Sequence, residues 1–232
     1  MPEQVVRWHV FPDATALVAA ALERVLHASR NAITQHGAFD IVLAGGNTPR
    51  RLYRALCEAD ADWQRWHVWF GDERCAPADD PARNSQMAHA EWLGYVPIPA
   101  HNIHPIPAEA GVRTAATLYA RALRSVDAFD LVLLGLGEDG HTASLFPGHD
   151  WGVHADSPDV LAVTGAPKPP PARVSLSAHR LAHAQQVLFL VEGAGKREAT
   201  AAWQRGTSIP AACIAPAAGV DVLLDAAADP TR

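Results

Sequence analysis

The feature that most constrains this chain is a pattern met four times: a short apolar run of strand character that stops abruptly at glycines and charged residues. Residues 39–44 run into Gly45-Gly46-Asn47-Thr48-Pro49, and residues 66–70 into Gly71-Asp72-Glu73-Arg74. Residues 129–134 run into Gly135-Leu136-Gly137-Glu138-Asp139-Gly140-His141-Thr142. Residues 186–191 run into Glu192-Gly193-Ala194-Gly195-Lys196. The run at 129–134 is nearly all apolar, as a strand covered on both faces must be.

The segments between these runs read as helices. A strand at 5–11 precedes a long helix from Pro12-Asp13 to His36, with Asp13 as N-cap and Gly37 as the stop. The next helix is expected to start with Thr48 as N-cap and Pro49 at its first position, and to reach about Glu58. Further helices are predicted over 84–93, 113–125 and 194–205, and further strands over 159–163, 174–177 and 220–224. The proline-rich stretches 97–107 and 167–171 read as loops, because proline removes ladder donors. Strand–helix alternation from end to end predicts an α/β fold of three layers, a parallel-rich twisted sheet with helices on both faces, Rossmann-like in its winding. Neither proline stretch has the length of a linker and no repeat of fixed period occurs, so residues 1–232 are expected to form one domain.

Composition removes several function classes. There are 25 acidic against 19 basic residues, a net charge of −6, so a general basic coat for nucleic acid is absent. No apolar run approaches the ~18–20 residues of a membrane span. Met1-Pro2-Glu3-Gln4 lacks the basic segment and apolar stretch of a signal peptide. Cys57, Cys75 and Cys213 show no paired spacing and are expected to be buried thiols in a reduced, cytoplasmic protein. His101 with His104, and His149 with His154, lack the cysteine or carboxylate company of a metal site, so no metal is expected. The chain is expected to be a monomer or weak homo-oligomer.

A parallel sheet places all four glycine-rich loops along its carboxyl edge, where open α/β sheets bind ligands. The 45–49 loop has two readings. It is either an anion site, with backbone amides and a helix dipole facing the ligand, or a plain tight turn with a capped helix. Gly135, Gly137 and Gly140 fit G-x-G-x-x-G, but Pro147-Gly148 stops any long helix, and Glu138 and Asp139 would set two carboxylates beside a pyrophosphate. A nicotinamide site is therefore set aside.

His141, beside Asp139, is a candidate general base, since histidine can take a proton from water near neutral pH. It could equally be a loop histidine satisfied by a carbonyl. Asp72, Glu73 and Arg74 read either as site residues or as a surface salt-bridge cluster. Only two of the 19 basic residues are lysines, Lys168 and Lys196, a hint that an ammonium is wanted where they stand. Lys196 at a helix start opposes the dipole unless an anion lies between, which favours phosphate contact. Arg173 reads either as a second phosphate partner, through bidentate bonds, or, taken alone, as an exposed arginine.

Taken together and in order, these motifs resemble the glucosamine-6-phosphate isomerase/6-phosphogluconolactonase family. The long segment from Gly135 through His141-Thr142-Ala143-Ser144-Leu145-Phe146-Pro147-Gly148 carries most of the resemblance. The 45–49 and 71–74 loops, Pro77 and Asn84, Pro170-Pro171-Ala172-Arg173-Val174 and Gly193-Ala194-Gly195-Lys196 add to it. The likeness extends over about residues 5–224. Cys75-Ala76 replaces a bulkier apolar pair, and Arg83-Asn84-Ser85 stands where Ser-Asn-Tyr is common.

The resemblance implies a sugar-phosphate isomerase type of fold. It implies hydrolysis of 6-phospho-D-glucono-1,5-lactone to 6-phosphogluconate in the pentose phosphate pathway, with no metal or organic cofactor. The phosphate is then expected on Gly45, Gly46, Asn47, Thr48, Arg173 and Lys196. His141 would deprotonate water, Asp139 or a backbone carbonyl would fix its tautomer, Arg74 would meet the carbonyl oxygen, and Asp72 would bind ring hydroxyls. Two rivals remain: an aldose–ketose isomerase or amino-sugar-phosphate deaminase using Asp72 and His141, and a sugar-phosphate sensor with no need of His141.

Overall fold

The computed structural model describes residues 4–231; the signal-peptide expectation rests mainly on Met1, Pro2 and Glu3, which lie outside them. Ten strands and six α-helices follow in order: β1 Val6–Phe11, α1 Ala14–His36, β2 Phe39–Leu43, α2 Asn47–Leu56, β3 Trp66–Phe70, β4 Asp72–Arg74, α3 Asn84–Ala88, β5 Ile103–His104, α4 Val112–Ala122, β6 Phe129–Gly135, β7 Val160–Val163, β8 Arg173–Leu176, α5 Ala178–Ala182, β9 Ala184–Val191, α6 Arg197–Gln204 and β10 Val220–Asp225. Seven strands form one sheet in the order β1-β10-β9-β6-β2-β3-β5, every neighbouring pair parallel. The predicted parallel sheet is therefore present, and all its strands point their carboxyl ends the same way.

Trp66 and Trp69 show why both faces need cover. An odd separation along a strand sends them to opposite sides. Trp66 meets Trp63 and Trp92 at ring separations of 4.7 and 5.7 Å, whereas Trp69 meets Tyr119 of α4 at 6.1 Å. Helix α1 begins and ends as its sequence dictates. The Asp13 carboxylate accepts from Ala16 N at 2.9 Å, and Gly37 closes it at φ 86°. Two buried tyrosines secure the strand ends that lead into the loops. Tyr53 of α2 both accepts from Ala44 N and donates to Ala44 O, and Tyr119 does the same for Phe70. Each replaces ladder partners that a strand loses where it leaves the sheet.

Five expectations change. Asp72-Glu73-Arg74 is not a loop but strand β4, the edge of a second sheet in the order β4-β8-β7, antiparallel throughout. Helix α2 starts two residues earlier than expected: Gly46, at φ 109°, is the N-cap and its carbonyl accepts from Arg50 N at 3.2 Å. Only glycine takes that φ without strain, so it outcompetes Thr48 for the cap. The 84–93 helix is regular only through Ala88; His89–Leu93 is a π-turn closed by Gly94 N on His89 O. The 194–205 helix opens with a 3₁₀ turn at Ala194–Lys196, and the 97–107 loop contains the two-residue strand β5.

Candidate active site

All four glycine-rich loops meet in one cavity of about 250 Å³ at the carboxyl edge of the main sheet. Gly45 and Gly46 come from the β2 end, Asp72 and Arg74 from the β3 end, Gly135 to Gly137 and His141 to Ala143 from the β6 end, and Lys196 from the β9 end. Asn84, Lys168 and Arg173 complete the charged and polar wall. Of the predicted phosphate residues, Gly45, Gly46, Arg173 and Lys196 line the cavity; Asn47 is exposed, Thr48 is buried, and neither faces it.

The wall carries four cations, Arg74, Lys168, Arg173 and Lys196, against the single carboxylate of Asp72. In a chain of net charge −6 this is a local concentration of positive charge suited to an anion. Arg74 and Arg173 are direct cross-strand partners in the β4–β8 pair. Like charges so opposed destabilise a sheet, so each guanidinium is tethered and the remaining charge is left for a ligand. Arg74 Nη1 donates to the Ala82 carbonyl. Arg173 donates to the carbonyls of Lys168, Pro169 and Pro170, each at 3.1 Å, and its guanidinium lies 5.6 Å from the Phe146 ring centre. Burial and the Arg74 charge pull Arg173 below its ordinary value despite Asp72 and Glu73, and burial pulls Lys196 down despite Glu138.

His141 is built by its loop. Its Nδ1 donates to Asp139 Oδ1, which stands behind the cavity wall rather than in it. That bond fixes the Nδ1–H tautomer and leaves Nε2, which has no protein partner among the described residues, as the open basic nitrogen. The glycines make the room. A Cβ on Gly137 would lie 1.9 Å from His141 Nδ1, and Gly140 adopts φ 84°. The G-x-G-x-x-G spacing thus serves a tight turn around an imidazole. Burial lowers the His141 pKa, against the hydrogen bond and charge of Asp139, which raise it; burial prevails and the neutral ring is favoured. For Asp139, burial acts upward and is the largest single influence, but the hydrogen bonds and charge of His141, with a backbone bond of its own, together outweigh it, and its pKa is lowered.

The two carboxylates of the Asp-Glu-Arg group are buried and Arg74 is half-buried, so the group is not a surface salt-bridge cluster. Glu73 is fully buried and accepts from the backbone N–H groups of Arg74, Asn84 and Ser85 at 2.7–2.9 Å, capping α3. Asp72, also buried, accepts from Asn84 Nδ2 at 2.9 Å on Oδ1 and from Ser144 Oγ at 2.5 Å on Oδ2. Asn84, Ser144 and the wall position of Lys168 are the features that reading by motif missed; for Lys168 the scarcity of lysine was the available signal. Among the described residues no group of three or more His, Cys, Asp or Glu side chains could hold a metal ion, and no helix is long and apolar enough to cross a membrane.

A covered parallel sheet, with a cationic cradle and a carboxylate-oriented histidine in one cleft at its carboxyl edge, defines an α/β protein built for small anionic substrates. The family model described as "Glucosamine-6-phosphate isomerases/6-phosphogluconolactonase" matches residues 12–223. The chain belongs to that family. It is 38% identical over 203 residues to the 6-phosphogluconolactonase of Nostoc sp., covering 83% of this chain and 82% of that protein. It is 38% identical over 220 residues to the 6-phosphogluconolactonase of Mycobacterium tuberculosis, covering 88% and 89%. The crystal structure of 6-phosphogluconolactonase from Thermotoga maritima superposes with a TM-score of 0.88 at 27% identity, covering 95% of this chain and 100% of that one.

Proposed function

We propose that this chain is a 6-phosphogluconolactonase: it adds water to 6-phospho-D-glucono-1,5-lactone and releases 6-phosphogluconate, a step of the pentose phosphate pathway. The observation that carries the reading is that an open imidazole nitrogen and a phosphate-sized cationic cradle line the same cavity. The lactonases of Nostoc and Mycobacterium tuberculosis among its relatives support the choice of substrate.

The substrate phosphate binds the Gly45–Gly46 amides, Arg173 and Lys196. The lactone ring extends toward β4 and the His141 loop. Neutral His141 takes a proton from water at Nε2 as the water oxygen attacks C1. Arg74, through the guanidinium nitrogens not bonded to Ala82, meets the negative charge that develops on the carbonyl oxygen. Collapse of the tetrahedral intermediate breaks the C1–ring oxygen bond, and the imidazolium returns its proton to the departing hydroxyl. Asp139 holds the ring and favours the imidazolium in between, and Asp72 accepts from ring hydroxyls. The chain acts in the cytoplasm as a monomer or weak homo-oligomer; its three free thiols fit a reducing compartment.

The test is stopped-flow acid release from freshly made 6-phosphogluconolactone, corrected for spontaneous hydrolysis, beside an ammonia assay with glucosamine 6-phosphate. Saturable acceleration of the first and no ammonia from the second are expected. Ammonia release without lactone hydrolysis would assign the site to the deaminase reaction instead.

A further inference from the structure

Asp72 is held more firmly than a residue that merely contacts a sugar hydroxyl requires. Each carboxylate oxygen has its own side-chain donor, and the two donors come from distant parts of the chain. Asn84 is the first residue of α3, and its Nδ2 also donates to the Asp72 carbonyl at 2.9 Å. Ser144 follows β6 in the His141 loop, and its own N–H donates to Ser175 Oγ of β8 at 3.3 Å. Asn84, Ser144 and Ser175 are all buried, which strengthens these bonds.

Two backbone features exist to make this arrangement fit. Ala143, between the cavity-lining Thr142 and Ser144, has φ 47°, alone among the described non-glycine residues in the left-handed region. That conformation is costly for a β-carbon-bearing residue and persists only where the surroundings enforce it. It lets His141 and Ala143 face the cavity while Ser144 reaches back to Asp72. On the opposite side, a Cβ on Gly45 would lie 2.2 Å from Asn84 Oδ1. The first glycine of the phosphate loop is thus also the space in which Asn84 sits. The Asp72 charge acts on both His141 and Arg173, which flank the Phe146 ring at 4.7 and 5.6 Å.

We propose that Ser144 and Asn84 are positioning residues: they lock the Asp72 carboxylate so that its free lone pairs and its charge face the reacting end of the cavity, and so tie the 45–46, 84 and 141–144 segments into one unit. This rests on the lactonase reading for its kinetic consequence, but not for its electrostatic one. Both are measurable in a double-mutant cycle of Ser144→Ala and Asp72→Ala.

In the wild-type background Ser144→Ala is expected to lower kcat about 10–100-fold with KM changed less than threefold. In the Asp72→Ala background it is expected to change kcat less than twofold. The His141 titration, followed by NMR of its Cε1 proton, needs no turnover and should show the same pattern. It should shift when Ser144→Ala is made with Asp72 present and hold still when Asp72 is absent. If Ser144→Ala does not fold, Ser144→Cys keeps the volume with a weak donor and is read identically. Wild-type enzyme inactive on the lactone, with the cycle intact by NMR, would sink the lactonase reading alone. A Ser144→Ala effect equally large without Asp72, or no effect on the titration with Asp72 present, would overturn the positioning role.

Discussion

Gly137→Ala adds one carbon atom and tests the geometry of the base directly. The new Cβ would stand 1.9 Å from His141 Nδ1, 2.2 Å from His141 Cε1 and 2.6 Å from Asp139 Oδ1. Ordinary van der Waals contact starts at 3.4 Å, so the imidazole must retreat by about 1.5 Å. Gly137 N also donates to His141 O at 2.7 Å, which ties the two backbones together and prevents the loop from simply opening. The retreat breaks the Nδ1–Asp139 bond or turns Nε2 off the cavity, or both. A displacement of about 1 Å at a catalytic group costs on the order of 10²-fold in rate, about 2.7 kcal/mol of transition-state stabilisation. The nearest atoms the new Cβ meets belong to His141 and Asp139, and none belongs to Gly45, Gly46, Arg173 or Lys196. Gly137→Ala is therefore expected to lower kcat by at least about 10²-fold while the affinity for 6-phosphogluconate, read by calorimetry, stays within twofold. Turnover within fivefold of wild type would refute the argument, because it would mean that the His141 ring need not sit where the loop puts it.

Replacing the base itself, His141→Ala, should lower kcat by about 10²–10⁴-fold with little change in product affinity; a sharp rise in KM at intact kcat would remove His141 from the chemistry. Lys196→Ala should lower kcat/KM for the phosphorylated lactone by about 10–100-fold, the value of one charge-assisted bond, and leave the rate with unphosphorylated gluconolactone unchanged. Equal losses on both substrates would show that Lys196 does not read the phosphate. The pH profile follows from the sign of the His141 shift. The neutral ring is the active form and its pKa is lowered, so kcat/KM falls only as pH drops below about 6.5, the unperturbed value. A limb centred above 6.5 in the spontaneous-rate-corrected profile would contradict that burial governs this imidazole.

Much of this molecule was legible because its signals are local. Strands β2, β3, β6 and β9 are apolar runs that glycines terminate, so both their existence and the shared edge of their loops follow from short stretches of sequence. The Asp13 cap and the Gly37 stop are equally local. What escaped is non-local. Strand β4 is three charged or polar residues, Asp72-Glu73-Arg74, with no apolar alternation; it is a strand only because β8, about a hundred positions later, supplies its ladder. The same pairing buries a charge group that reads as surface, and Glu73 is tolerable there only because three backbone donors fold onto it.

The Ser144–Asp72 bond spans 72 positions, and nothing about either residue announces the other. Asn84 could be noticed as part of a family pattern, but not as the side chain that fills the space beneath Gly45. The site divides accordingly. Of the groups proposed to touch substrate, Gly45, Gly46, His141 and Lys196 sit on glycine-rich segments that sequence exposes one at a time, whereas Asp72, Arg74 and Arg173 stand on the paired strands β4 and β8. The groups that hold them in place are polar residues at buried positions, where sequence alone gives the wrong expectation for burial and no expectation for partners. A constellation such as Asp139–His141 is readable because a single residue separates its members; one such as Asn84–Asp72–Ser144 becomes visible only when the fold has brought a strand, a helix start and a loop together.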